Sequence, residues 1–189
     1  MTRSAFSVHY FYAFFLLLLL SNCGTPATTA TSAGSGTTAT DNTNEEDGST
    51  TFILVRHGEK EYGAHPHLRP EGVERAERLS FMLDNVDLTA IYATPTYRAM
   101  ETAEPTAEKK GLKIREYDST QLKLLAKQML RRHRGGTVLV SGHSNTTPEL
   151  TSHLMGEESF VRFSELDYTN FYVVTVPANG PPTLLKLRY

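Results

Sequence analysis

Four residues of this 189-residue chain have the chemistry needed to hold and attack a phosphate. Arg56 and His57 stand together in "FILVRHGEK", Arg98 lies in "TPTYRAMETA", and His143 lies in "SGHSNTTP". The planar guanidinium forks of Arg56 and Arg98 match phosphate oxygens. Histidines change charge near neutral pH, so His57 and His143 can divide between them the roles of nucleophile and charge-stabilising donor. Gly58 removes a side chain beside His57 and would let a phosphate approach the backbone. Ser144, directly after His143, adds a hydroxyl. Taken singly such residues are ordinary, since a histidine after a strand is usually a loop residue and an arginine a surface one. Their meaning depends on whether the chain brings them together.

The apolar pattern says that it does. Residues 52–55 form a continuous apolar run of the kind found in strands covered on both faces. Residues 88–93 and 137–140 are further strand candidates. Pro70 opens a helix with Val73, Ala76, Leu79 and Leu83 on one face. Thr94 is placed to cap a second helix with Pro95 at its first position; Pro105 should kink or divide it, and Gly111 should end it. A short strand is expected around residues 113–115. Ser119 can cap a helix carrying Leu122, Leu125, Ala126 and Met129, which stops at Gly135-Gly136. A last helix opens near Thr147-Pro148, and residues 171–176 and 184–187 flank "PANGPPT" as a terminal strand pair. This alternation predicts an α/β domain, a three-layer α/β/α sandwich on a mainly parallel sheet. In such a sheet the C-terminal strand ends share one edge, where open α/β folds bind ligands. The segments bearing His57, Arg98 and His143 each follow a strand, so all four residues are expected to converge there. Helices beginning after the second and third of these segments would add backbone N–H groups and positive dipole ends that favour an anion.

The domain is expected over residues 51–189, behind a region of different composition. Residues 1–23 read as an export signal, with Arg3 near the start, an apolar core over 11–20, and then Leu-Ser-Asn-Cys. About ten apolar residues are few for a bilayer-spanning helix but fit a signal peptide. "LSNC" resembles a bacterial lipobox, in which cleavage precedes a cysteine that is then lipidated, although Asn22 stands where a small residue is usual. Ordinary secretion and an uncleaved anchor are the competing readings. Cys23 is the one cysteine, so no disulfide can form within the chain. Lipidation, with attachment to a membrane, explains its place better than redox chemistry; a free thiol of no consequence is the bland alternative. Residues 24–50, rich in Thr, Ala, Gly and Ser, read as a flexible tether. A random coil of that length spans about 30 Å root mean square, and a glycosylated stalk is the weaker reading.

Charge limits the partners. The chain carries 19 basic and 21 acidic residues; setting aside Arg3 and the tether acids Asp41, Glu45, Glu46 and Asp47 leaves 18 and 17. A domain so close to neutral argues against nucleic acid as a partner. The run Arg131-Arg132-His133-Arg134 closes a predicted helix, where positive charge complements the dipole.

In this order, "VRHGEK", "YATPTYRAMETA" and "VLVSGHSN" resemble the histidine phosphatase superfamily in its phosphoglycerate-mutase-like branch, over nearly all of residues 52–176. The resemblance implies a phosphoglycerate-mutase-like fold and a two-step phosphoryl transfer through phosphohistidine. It matches His57 to the nucleophile, Arg56 and Arg98 to the phosphate-clamping arginines, and His143 to the second histidine, which binds the transferring phosphoryl group. The family usually draws its general acid from the segment between the Arg98 helix and the last catalytic strand. There Glu116 and Asp118 of "REYDS" are candidates, although Asp118 reads equally well as a turn residue leading into the next helix. Glu59, beside the nucleophile, is a third. No cofactor is implied and no metal, since the pair His65 and His67 has no carboxylate pattern to complete a site.

Departures from the family narrow the activity. Ser144 stands where phytase-like members carry their acid, and Gly63 where mutases follow RHGE with Asn. The intervals leave no long insertions of the kind a mutase uses to keep water from its intermediate. With the export signal, this points to a lipid-anchored phosphomonoesterase on the periplasmic or cell-surface side. Its substrate would be a phosphorylated small molecule or a phosphopeptide. A phosphoprotein phosphatase, including one acting on phosphohistidine, and a non-catalytic surface lipoprotein that binds phosphorylated ligands are the alternatives. Specificity is expected from residues 62–69 and 156–167.

Overall fold

A computed structural model of the protein describes residues 48–189. The expected export signal, Cys23 and nearly all of the tether lie outside the described residues. The elements are β1 (Thr50–Arg56), α1 (Pro70–Met82), β2 (Leu88–Ala93), α2 (Tyr97–Lys110), β3 (Ile114–Glu116), α3 (Leu122–Arg132), β4 (Thr137–Gly142), α4 (Thr146–Met155), β5 (Asn170–Val176) and β6 (Thr183–Arg188). One sheet holds all six strands in the order β3-β2-β4-β1-β5-β6. Strands β3, β2, β4 and β1 run parallel, and β5 and β6 add an antiparallel flank.

Successive side chains of a strand point to opposite faces, so each strand feeds two cores. Ile53 and Val55 join Ile91 and Leu139 on one face, covered by Leu79, Leu83, Ala103 and Ala107 from α1 and α2. Phe52 and Leu54 join Tyr92, Val138 and Val140 on the other, covered by Leu122, Ala126 and Met129 of α3 and Leu150 and Leu154 of α4. The result is the expected three-layer α/β/α sandwich. Fully burying one such Leu or Phe stabilises by about 1.5–3 kcal/mol, and Phe52, Leu54, Leu79 and Leu150 are all completely buried.

Four local expectations are corrected. Val73 is half exposed, and α1 instead turns Gly72, Ala76, Leu79 and Ser80 inward, because Gly72 must pass close to the Glu59 backbone. Helix α2 begins at Tyr97, with Thr96 at its cap position rather than Thr94. The Thr94 hydroxyl is engaged elsewhere, on His143. Pro105 does not divide α2; it sits inside the helix, and its carbonyl accepts the Ser80 hydroxyl at 3.1 Å. Ser119 does not cap α3, which starts at Leu122 behind a turn organised by Asp118. Gly111 ends α2 as expected, in the left-handed region at φ 63°, which glycine adopts without penalty.

Register brings the reactive segments to one level. Arg56 pairs with Gly142 across β1 and β4, and Ala93 with Ser141 across β2 and β4. Just beyond, the His57 amide donates to the Gly142 carbonyl at 2.9 Å, and the Thr94 amide to the Ser141 carbonyl at 3.3 Å.

Candidate active site

At that edge the two histidine rings stand edge-on, their centroids 5.3 Å apart, with Arg98 between them. His57 is almost fully buried. Its Nδ1–H donates to the Gly58 carbonyl at 2.8 Å, which leaves the lone pair on Nε2. That nitrogen accepts the Arg98 Nε–H at 3.2 Å. Burial above all lowers the His57 pKa, to about 3; the Gly58 hydrogen bond opposes this, while His143, Arg56 and Arg98 add to it. The imidazole is therefore neutral at physiological pH, as a nitrogen nucleophile must be.

His143 follows the same logic. Its Nδ1 faces Arg98 Nη2 at 3.5 Å, and its Nε2 lies 2.8 Å from the Thr94 hydroxyl. A guanidinium can only donate, so Nδ1 accepts and Nε2–H donates to Thr94. Burial, then Arg98 and Arg56, lowers its pKa to about 4.

Arg56 is 1 % exposed, and a charge so deeply buried needs partners. Its Nη1 donates to the Ser164 and Asp167 carbonyls at 2.8 and 3.0 Å, and its Nη2 to the Glu165 carboxylate at 2.9 Å. The Tyr168 ring lies 4.1 Å beneath the guanidinium carbon. Nε is buried with no acceptor, so that nitrogen keeps its N–H unused. Ser144 donates its hydroxyl to the other Glu165 oxygen at 2.6 Å.

Glu165, Asp167 and Tyr168 thus complete the surroundings of Arg56 and were not singled out from the sequence. They lie in an irregular segment, more than a hundred residues beyond Arg56, with no apolar period to reveal a contact. For Glu165 and Asp167 there is a broader signal, since both fall within residues 156–167, where specificity is expected.

Gly58 has a different role from the one expected. A Cβ there would sit 2.8 Å from the Gly72 carbonyl oxygen, so the missing side chain admits α1 rather than a phosphate. Its amide donates to Thr102 Oγ1 at 2.9 Å and is not free for an anion. Thr102 in turn donates to the Arg98 carbonyl at 2.7 Å, tying the start of α2 to the His57–Gly58 segment.

The three acid candidates fare differently. The Glu59 carboxylate pairs with Arg75, with contacts of 2.7 to 3.2 Å. Arg75 holds it ionised, below the usual carboxylate range, against the opposing effect of burial. Asp118 is solvent-exposed and accepts the Thr120 amide and hydroxyl at 2.8 and 2.7 Å and Gln121 Nε2 at 3.1 Å, as a turn residue does. Neither contacts His57 or His143. Glu116 lines a cleft of about 710 Å³ together with Arg98, His65, Pro95, Tyr97 and Met100. It is the one sequence candidate that lines a cleft with a site arginine.

His67, the partner of His65 in the H-x-H pair, bonds Glu101 and stacks on Tyr97 with ring centroids 4.3 Å apart. Among the described residues no three His, Cys, Asp or Glu side chains group so as to hold a metal ion. Nor is any described helix long and apolar enough to cross a membrane.

Comparison with known proteins places this arrangement. Residues 52–121 match the family model of the histidine phosphatase superfamily (branch 1). A search of curated proteins finds no match to the chain. Among solved structures, the protein histidine phosphatase SixA complexed with tungstate superposes with a TM-score of 0.60 at 18% identity, covering 73% of this chain and 96% of that one. A phosphoglycerate mutase from Bacillus anthracis gives 0.59 at 16% identity, over 76% and 95% of the two chains. The mycobacterial glucosyl-3-phosphoglycerate phosphatase gives 0.57 at 12% identity, over 67% and 90%. The segments bearing His57 and Arg98 thus match the histidine phosphatase family model, and the domain has a phosphoglycerate-mutase-like fold that carries His143 to the same edge.

Proposed function

We propose that the protein is a phosphomonoesterase that works without a metal, through a phosphohistidine on His57. The observation that carries this reading is the state of His57: buried and neutral, with its Nε2 lone pair directed at Arg98 by the Nδ1–H bond to Gly58. An incoming phosphate dianion takes over the Arg98 donors. His57 Nε2 then forms a bond to phosphorus while the ester oxygen departs on the opposite side. Arg56, Arg98 and His143 balance charge on the equatorial oxygens, which is most of what catalysis of phosphoryl transfer requires. Water attacks the phosphohistidine in the second step, releasing inorganic phosphate and restoring neutral His57. The departing oxygen needs a proton, and of the three sequence candidates Glu116 alone lines the cleft that Arg98 lines.

The size of that cleft favours a second reading of the substrate, a phosphorylated protein side chain, since about 710 Å³ can admit more than a small alcohol. Export and attachment to a membrane through lipidated Cys23 complete the proposal and rest on the character of residues 1–50. The deciding experiment is phosphate release from an aryl phosphate, with acid-labile phosphoenzyme trapped in parallel. Both signals are expected for the wild type and neither for His57→Ala. Undiminished turnover by the variant overturns the mechanism, and phosphate-ester binding without release by the wild type supports the ligand-binding lipoprotein instead.

A further inference from the structure

The cleft beside Arg98 carries a specificity of its own. Pro95, Tyr97 and Met100 give it an apolar wall, and Glu116 stands on its border. The wall is braced: Tyr97 stacks on His67 at an interplanar angle of 16°, His67 bonds Glu101, and Glu101 also accepts the Leu68 amide at 2.8 Å. A wall held in this way loses little freedom when a ligand packs on it.

Charge in the cleft is one-sided. Arg98 is the only Lys or Arg that lines it, and its Nε and Nη2 already face His57 and His143, where the phosphate would lie. The Glu116 carboxylate has no hydrogen-bond or ion-pair partner among the described residues. Its neighbour Arg115 does not neutralise it, because adjacent strand residues point to opposite faces and the Arg115 guanidinium lies over the Tyr92 ring. An alcohol bearing a carboxylate would therefore meet Glu116 with no Lys or further Arg in the cleft to receive it. An alcohol with an apolar stem and a cationic end would find a wall and a counter-charge.

From this we infer that the cleft receives the alcohol part of the substrate and selects phosphate monoesters whose apolar stem ends in a positive charge. The inference rests on the phosphatase reading, and the test separates the two. Three aryl phosphates with leaving groups of similar acidity serve as probes: 4-(2-aminoethyl)phenyl phosphate, 4-ethylphenyl phosphate and 3-(4-phosphonooxyphenyl)propionate. For the wild type, kcat/KM is expected to fall in that order, with a span of about tenfold, the size that partly exposed charge pairs support. Glu116→Gln should shrink the span about threefold, and Glu116→Lys should reverse the order. Equal values for the three wild-type substrates overturn the inference. So does a Glu116→Gln variant slowed equally on all three, which would mark the residue as a proton donor rather than a counter-charge. If no ester releases phosphate, the phosphatase reading fails. Calorimetric titration of the same esters into His57→Ala protein still ranks their affinities, and the same order is expected there; equal affinities overturn the inference.

Discussion

The Glu165 carboxylate bridges Arg56 and Ser144, taking the guanidinium Nη2–H at 2.9 Å on one oxygen and the hydroxyl at 2.6 Å on the other. Both donors belong to the group expected to bind the substrate's phosphate, so an internal anion already occupies them. The Ser144 hydrogen bond first, and then Arg56, Arg162 and Lys60, keep this carboxyl below its ordinary range against the effect of burial. It is thus ionised at neutral pH and competes with phosphate. Its side chain is 65% exposed, which screens the pair and limits the effect. Glu165→Gln is expected to lower both KM and the inhibition constant of inorganic phosphate by about threefold, with kcat kept within about twofold. Steady-state kinetics checks this, and a higher KM would show that Glu165 instead holds Arg56 in place.

The two site histidines make stability depend on pH. In the fold His57 titrates at about 3 and His143 at about 4, while both titrate near 6.5 in an unfolded chain. Below about 6.5 the unfolded chain takes up protons that the native one refuses. Their contribution is therefore complete above that value and lost as pH falls toward the native values. Between pH 7 and pH 4.5 the melting temperature of the wild type should drop about 5 °C further than that of His57→Asn. Circular dichroism melts across that range test it, and parallel slopes would contradict it.

Thr102 is the joint between the His57–Gly58 segment and α2, since one hydroxyl serves both the Gly58 amide and the Arg98 carbonyl. Thr102→Val keeps the shape but strands the buried Gly58 amide, which should cost about 1–3 kcal/mol. Because the Gly58 carbonyl orients His57, kcat should fall by about tenfold as well. Thr102→Ser should recover most of both. Urea denaturation and single-turnover kinetics measure the two effects side by side.

Asp118 offers the opposite expectation. Its carboxylate lies in solvent, holds the turn before α3, and is kept ionised chiefly by Thr120. Asp118→Asn should leave kcat within about twofold, the scatter of surface substitutions. A loss beyond tenfold on a substrate with a poor leaving group would return it to the role of acid.

Where side chains meet because strands align, the sequence is readable. Apolar runs ending in "RHG" and "SGH" predict that His57 and His143 share an edge, and the β1–β4 register confirms that convergence. Where one side chain has two possible partners, it is not. Thr94 looks like a helix cap, but His143 competes for the same hydroxyl and wins. Gly58 looks like space for a ligand, yet that space belongs to Gly72, a backbone approach that leaves no trace in apolar periodicity. Contacts from irregular chain are the least visible. Glu165 and Tyr168 reach Arg56 through a loop whose path is set by the packing around it rather than by any local preference.

The central position of β1 bears on how the protein folds. The strand that leads into His57 is the first in the described chain, yet both of its neighbours, β4 and β5, come from the far half of the sequence. Their pairing closes long loops, an entropic cost that has to be met before any contact repays it. A chain growing from its N-terminus would therefore carry His57 behind an unpaired, strongly apolar strand until Gly142 had emerged, and behind a strand with one open edge until Val176 had. During that interval "FILV" is an open edge for misassociation. The histidine proposed as nucleophile is encoded early and assembled late.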